Sequence, residues 1–387
     1  MYRFRIIPFA LVLSTLVGCS KSGSVYNSYR EVEQLRLVQT VGIDKSGGEI
    51  ALSVSTGQGA SEATAPILMT AQAQSITGAM ALLQDYSVSE DLYYAHTKYI
   101  ILGAGAAQDG IEQYLDYIER TPQLRLNTSL FVMREGTAEE LVRGVGGESY
   151  DISTDLNSLT QDAQKHGEYY VFTCRDTAKS LAASGCALVC ALETREMEPV
   201  SSESEGEGLA AFPCGYCVIK DGAAVGYITG EDATAVSILT DMVGDMSLAL
   251  DDGMGGCTTV QLTGSKCKIT AAPQGNTFSF NITVTLSAAV TEMQNPASLA
   301  GSGSPQELAA RLEELIYSRC CAVLDASRRM NADVFGLGTA ANRAYPVAFS
   351  RISDKWDALY PDAEIRVAVS AAIERSYESA EKGGASS

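Results

Sequence analysis

Cys214-Gly215-Tyr216-Cys217 has the CxxC spacing of a redox dithiol or of half a zinc site, since it places two thiols within reach of one bond or one ion. Zinc needs a second pair, and Cys186 and Cys190, Cys257 and Cys267, and Cys320-Cys321 are all spaced differently. A packed structural role, a disulfide, and metal or redox work are the three readings of this pair, and the spacing favours the first. Cys320 falls on an apolar helical stripe and reads as core. His96, in Tyr93-Tyr94-Ala95-His96-Thr97-Lys98, would need a nucleophile to serve as a general base, and none is nominated. It reads instead as a buried, hydrogen-bonded histidine ahead of a strand. Gly103-Ala104-Gly105-Ala106-Ala107-Gln108 imitates a dinucleotide fingerprint, but Gln108 stands where the third glycine belongs, so an ordinary strand-to-helix turn is expected. Ser379-Ala380-Glu381-Lys382 matches Ser-x-x-Lys inside a polar tail and reads as chance. With two histidines in the chain and no phosphate loop, zinc-protease helix or nucleophile elbow, no catalytic residue, metal ligand or cofactor is expected.

One cysteine stands apart. Arg3 and Arg5 precede an apolar run, Ile6–Val17, that is too short to cross a bilayer core of about 30 Å as a helix. The run ends in Leu16-Val17-Gly18-Cys19 and gives way to Ser20-Lys21-Ser22-Gly23-Ser24, the pattern of a bacterial lipobox. Residues 1–18 are therefore expected to be a lipoprotein signal peptide. Cys19 would carry a diacylglyceryl thioether, and residues 19–30 would form a flexible tether. Two acyl chains hold a protein on a bilayer where one does so only marginally, so Cys19 would suffice as an anchor. No later run of 18 or more apolar residues follows.

The 387 residues amount to two or three domains, and the formal charge is −19, from 28 Lys plus Arg against 47 Asp plus Glu. Loss of Arg3 and Arg5 with the signal peptide makes it two units more negative. This acidity excludes non-specific nucleic-acid binding and a polybasic membrane patch, both of which need clustered Lys and Arg.

The elements that position these residues follow from periodicity. The stretch 35–44 and the alternating 50–56 flank Lys45-Ser46-Gly47-Gly48 and read as a hairpin. Ser75 opens a helix with Ile76, Met80 and Leu83 on one face; 99–102 and 130–133 read as buried strands. A helix near 107–121 carries Ile111, Tyr114, Leu115 and Ile118, and Thr137 with Glu140 supplies a capping box. The acidic, Ser/Gly-rich segment 194–208 reads as a linker or loop. Beyond it, strands are expected at 215–219, 225–228, 267–270 and 278–286. Then come a helix from Ser304 to about 330, a helix near 349–359, and a closing strand at 365–373 with apolar odd positions.

Four segments, in order, resemble the Ger(x)C family of spore germination lipoproteins, the C subunits of nutrient germinant receptors. They are Glu31–Leu35 with Val41-Gly42-Ile43-Asp44; His96-Thr97-Lys98 with Gly110 and Arg120-Thr121-Pro122-Gln123-Leu124-Arg125; Cys217–Gly222 with Val225–Asp232; and Ala332-Asp333-Val334-Phe335-Gly336-Leu337-Gly338 with Tyr345-Pro346, Trp356-Asp357 and Tyr360-Pro361. Read physically, Gly336 and Gly338 permit a turn after a helix, Phe335 and Trp356 anchor the core, and Asp333 accepts from a cap or turn. The resemblance implies a mixed α/β, α+β fold: a lipid-anchored ectodomain of two to three subdomains with mixed sheets flanked by helices. It divides as an N-terminal germination-protein part at 31–193, a linker or loop at 194–208, a C-terminal part at 209–376 and a disordered tail at 377–387. It implies a non-enzymatic receptor subunit on the outer face of the inner spore membrane. Its partners would be two integral membrane subunits, A and B, and the lipid bilayer, with no nucleic acid. A solute-binding lipoprotein of a transporter and an envelope hydrolase are the alternative classes.

Overall fold

The computed structural model describes residues 35–56, 67–87, 90–143, 152–197, 208–251, 256–294 and 304–374. The expected signal peptide, Cys19, the tether 19–30, the Ser379–Lys382 match and the tail 377–387 lie outside the described residues.

The chain begins with strands β1 (Leu35–Leu37), β2 (Thr40–Ser46), β3 (Glu49–Ser55) and β4 (Leu68–Ala73), helix α1 (Ile76–Tyr86), β5 (Asp91–Tyr93) and β6 (Tyr99–Leu102). Next come α2 (Ala104–Asp109), α3 (Glu112–Arg120), β7 (Ser129–Met133), α4 (Ala138–Arg143), α5 (Ile152–His166) and α6 (Cys174–Ser184). Then follow β8 (Cys186–Met197), β9 (Gly208–Lys220), β10 (Ala223–Thr229), α7 (Thr234–Leu239), β11 (Ser247–Asp251), β12 (Cys257–Gln274) and β13 (Thr277–Met293). The last part holds α8 (Pro305–Arg329), α9 (Leu337–Ala344), α10 (Pro346–Phe349), α11 (Trp356–Leu359) and β14 (Glu364–Glu374).

Eight strands form one sheet in the order β10-β9-β8-β7-β6-β2-β3-β4. Its centre is parallel, with β2 on β6, β6 on β7 and β7 on β8, and an antiparallel hairpin system closes each side. A parallel strand is buried on both faces, and β6 is buried at every residue. Its alternate side chains feed two cores: Ile100 and Leu102 meet α1 and α3 on one face, while Tyr99 and Ile101 meet α4 and α5 on the other. A second sheet, β11-β12-β13-β14, packs against α8 through Leu312, Ile316, Cys320 and Val323. A small parallel pair joins β1 to β5.

The hairpin, the Ser75-capped helix, the buried strands and the Thr137–Glu140 box form as expected, the last with both reciprocal bonds, at 3.1 and 3.2 Å. Ser304 caps α8, accepting from the Glu307 amide. Three expectations about these elements are corrected. The helix near 107–121 is two helices, because Gly110, at φ +130°, breaks the spiral and the Ile111 amide turns to the Gly222 carbonyl at 2.7 Å. The helix near 349–359 is three short turns, one of them opened by Pro346, and α9 precedes it. Strand β8 runs through Met197 and β9 starts at Gly208, so both ends of the expected linker 194–208 are strand; residues 198–207 lie outside the described residues. Glu193 and Arg195 pair on the solvent side of that strand, which gives it the charge of a linker. The first sheet therefore continues past residue 209 and takes in β9 and β10.

Candidate functional site

Both members of the CxxC pair are buried in the first sheet. Cys214 Sγ donates to the Ala191 carbonyl at 3.5 Å, and Cys217 sits fully enclosed in the core shared with Ile219 and Val189. Burial pushes the Cys214 thiol up to about 11 and that of Cys217 to about 12, the reverse of the depressed value a redox thiol needs. All nine described cysteines carry free thiols in the structure, and Cys214 and Cys217 both pack as members of the apolar core. Cys320 is core, as expected. His96 is a correction: it is exposed at the end of a single 3-10 turn, with its ring 5.8 Å from that of Tyr93. Tyr94 is the buried residue of that turn, and Thr97, which follows it and is also buried, donates its hydroxyl to the Val38 carbonyl. Gly103 is the expected strand-to-helix turn.

The acidic residues of the sequence motifs do the positioning. Asp44, at the end of Gly42-Ile43-Asp44, turns from β2 to the start of α4. Its two carboxylate oxygens each accept one amide, from Ala138 and Glu139, both at 2.8 Å. A Cβ on Gly42 would lie 3.1 Å from both Ala138 and Val142, so glycine lets α4 approach the strand it is pinned to. Gly103 clears the same carboxylate: a Cβ there would sit 1.8 Å from Asp44 Oδ1. Burial pushes the Asp44 carboxyl up, and the two amides pull it back.

Asp333 repeats this design in the second half. Oδ1 accepts from the Leu337 amide at 2.8 Å, and Oδ2 accepts from the Gly338 amide at 2.7 Å and from Trp356 Nε1 at 3.0 Å. One buried carboxylate thus fixes the start of α9 and the indole that packs on Phe280 and Tyr360. Gly336, at φ +68°, makes the expected turn. Gly338 does not: it lies buried in α9, where a Cβ would come within 2.6 Å of Trp356 Nε1. The residue types in these motifs hinted at caps and anchors, but no spacing in the sequence pairs Asp44 with a helix 94 residues away.

The motif at 217–232 joins the two halves. Lys220 Nζ donates to the Asn331 carbonyl at 2.7 Å and lies 3.4 Å from Asp357. Arg319 of α8 pairs with Glu231 at 2.6 Å, and a Cβ on Gly226 would strike Met330. Tyr216 reaches across to accept from the Tyr170 amide and bond Ser237.

An open cleft of about 410 Å³ lies between α5 and β9, floored by Leu159, Ala163, Phe212 and Pro213 and rimmed by Asp162 and Glu168. Among the described residues, no group of three His, Cys, Asp or Glu is placed to hold a metal ion. No helix there is long and apolar enough to cross a membrane.

Comparison with known proteins agrees with this architecture over both halves. Residues 28–194 match the family model described as the spore germination protein N-terminal domain. Residues 214–377 match that described as spore germination B3/GerAC like, C-terminal. The chain is similar to spore germination protein KC of Bacillus subtilis (strain 168), at 21% identity across 97% of this chain and 96% of that one. It is also similar to the putative spore germination protein YfkR of the same organism, at 21% identity across 96% and 91%. The crystal structure of the GerBC protein superposes with a TM-score of 0.52, at 16% identity, covering 86% of this chain and 96% of that one, which shows the shared mixed α/β fold.

Proposed function

Because the chain belongs to the GerAC-like family of spore germination proteins, we propose that it is the lipid-anchored C subunit of a nutrient germinant receptor. The observation that carries the reading is the match of both family models in order, with a germination relative aligned along nearly the whole chain. The family is non-enzymatic, and the cysteines and His96 supply no constellation for catalysis, so the chain works by assembly. In this reading Cys19 carries the lipid and holds the ectodomain on the outer face of the inner spore membrane. The folded part then docks beside two integral membrane subunits, A and B. The net charge of −19 opposes attraction to an anionic bilayer, so the lipid and the partner subunits must supply the attachment.

The test is deletion of the gene in its host, with complementation by wild type and by Cys19→Ala. Loss of germination toward a subset of nutrients is expected, with rescue by wild type. Cys19→Ala should give a folded chain that takes up no fatty-acid label and leaves the membrane fraction. Normal nutrient germination in a strain without sister receptors would overturn the reading.

A further inference from the structure

Strand β14 ends the second sheet with an open edge. It lies parallel to β13 over all eleven of its residues, with no bulge and no proline, and none of its residues is fully buried. In a strand, alternate residues turn their backbone groups to opposite neighbours. The Ala371 amide is taken by Glu313 of α8 at 2.8 Å, so the odd-numbered residues face away from β13. Among the described residues, nothing takes the outward amides of Ile365, Val367, Val369 or Ile373. Long unbulged edges of this kind are templates for another strand, and proteins ordinarily blunt them. The flank of α8 above this edge is unfinished too. Tyr317, one helical turn beyond Glu313, is exposed and touches the half-buried Cys321 one turn further on.

We propose that this edge pairs with β14 of a second copy of the chain, antiparallel about a two-fold axis at Ser370. This inference goes beyond the receptor reading and does not depend on it. The register is chosen by charge and by hydrogen bonding together. A two-fold at Ser370 sets Arg366 opposite Glu374 on the solvent face, twice, and Ala368 opposite Ala372. It also sets outward residues against outward residues, Val367 against Ile373 and Val369 against Ala371, so the free amides meet free carbonyls. A two-fold at Val369 would instead oppose Glu364 and Glu374. The chosen axis makes one continuous eight-stranded sheet and brings the Glu313–Tyr317–Cys321 flank of α8 toward its own copy. Glu313 releases Ala371 when the second strand enters.

The experiment uses the full-length chain in detergent. Ser370→Cys places two thiols face to face in a non-hydrogen-bonded pair, where Cα atoms stand about 4.5 Å apart. Mild oxidation should give most chains a 370-to-370 linked peptide by mass spectrometry. Thr283→Cys, exposed on the same face one strand inward, should give none. Val369→Pro removes an outward amide at a position where an edge strand tolerates proline. It should leave the circular dichroism spectrum unchanged and abolish the dimer seen by light scattering. Arg366→Glu should weaken the dimer, and adding Glu374→Arg should restore it. A wild-type monomer at micromolar concentration overturns the proposal. So does a 370-to-370 yield no greater than the Thr283→Cys control, or a dimer that survives Val369→Pro in a folded chain.

Discussion

Two buried carboxylates, Asp44 and Asp333, each pin the start of a helix by accepting from its first amides. Removing Asp333 with Asp333→Ala leaves the amides of Leu337 and Gly338 and the Trp356 indole N–H unpaired in the core. A buried donor left without a partner costs about 1–3 kcal/mol, so a total loss of about 3 kcal/mol or more is expected from denaturant titration. Burial holds the Asp333 carboxyl above its ordinary 3.8, against the pull of its donors. A carboxyl raised on folding binds its proton in the folded chain after the unfolded chain has lost it, so its contribution to stability falls as pH rises from 3.8. The stability difference between wild type and Asp333→Ala should therefore be largest in acid and shrink as pH rises. A difference that grew with pH would mean that the donors outweigh burial. The cysteines give a second prediction at this scale. Burial pushes Cys174, Cys217 and Cys320 to about 12 and Cys186, Cys214 and Cys267 to about 11, and Cys190 higher still. Disulfide-exchange reagents at pH 8 should label the half-buried Cys257 and Cys321 quickly, the half-buried Cys267 with its raised thiol more slowly, and the six buried described cysteines only on unfolding. Fast labelling of Cys214 or Cys217 would reopen redox chemistry at the CxxC pair.

Elements were legible in the sequence where one face is buried and the other wet. Strand β13 alternates cleanly because Phe278, Phe280, Ile282, Val284 and Leu286 face α8 and its neighbours while Asn281, Thr283 and Thr285 face water. Helix α8 carries a Ser304 N-cap, Pro305 at its first position and an apolar stripe. Helix α9 does not: Gly-Thr-Ala-Ala-Asn has little apolar signal, and its start is held by a distant carboxylate and an indole, which no local pattern encodes. The break at Gly110 was hidden because Ile111, Tyr114, Leu115 and Ile118 keep helical spacing while the turn before them is set by a carbonyl from β9–β10. At the candidate site the same division holds. Residue types pointed to caps and core, whereas the partners of Asp44, Asp333 and Lys220 depend on tertiary contacts. Gly215 is where an element turns on one residue. It sits at φ +136° beside the register shift of β8 on β9, and a Cβ there would lie 2.0 Å from the Ile228 carbonyl oxygen, which is backbone and cannot swing away. Gly215→Ala should cost about 2–3 kcal/mol through strain. Gly275→Ala, in the β12–β13 turn at φ +60° with open space around it, should cost about 1 kcal/mol. Equal shifts in the denaturation midpoint would show that backbone conformation, and not the clash with β10, sets the cost at Gly215.

At the scale of the whole molecule, the two family-matched halves share structure that neither can complete alone. The first half's sheet needs β9 and β10, which lie beyond residue 208 and cover β8. Those same strands present Tyr216, Val218 and Ile228 to the core built on the second sheet and α8. Their junction is also polar and specific, with Lys220 on Asn331 and Asp357, Arg319 on Glu231, and Ile111 on the Gly222 carbonyl. Domains with separate cores can melt separately, but a shared core couples them, since exposing one face of β9 strips the other half of its cover. Calorimetry of the wild-type chain should therefore show one transition, with calorimetric and van't Hoff enthalpies in agreement. Lys220→Met leaves the Asn331 carbonyl and Asp357 without their cation while keeping the apolar stem, and it should lower that single transition without splitting it. Two resolved transitions in the wild type would mean that the core shared through Tyr216 and Val218 is weaker than the cores on either side. Two only in Lys220→Met would place the coupling in the polar junction. A single transition in both locates it in the continuous packing of β9 and β10, the strands through which movement of one half would reach the other.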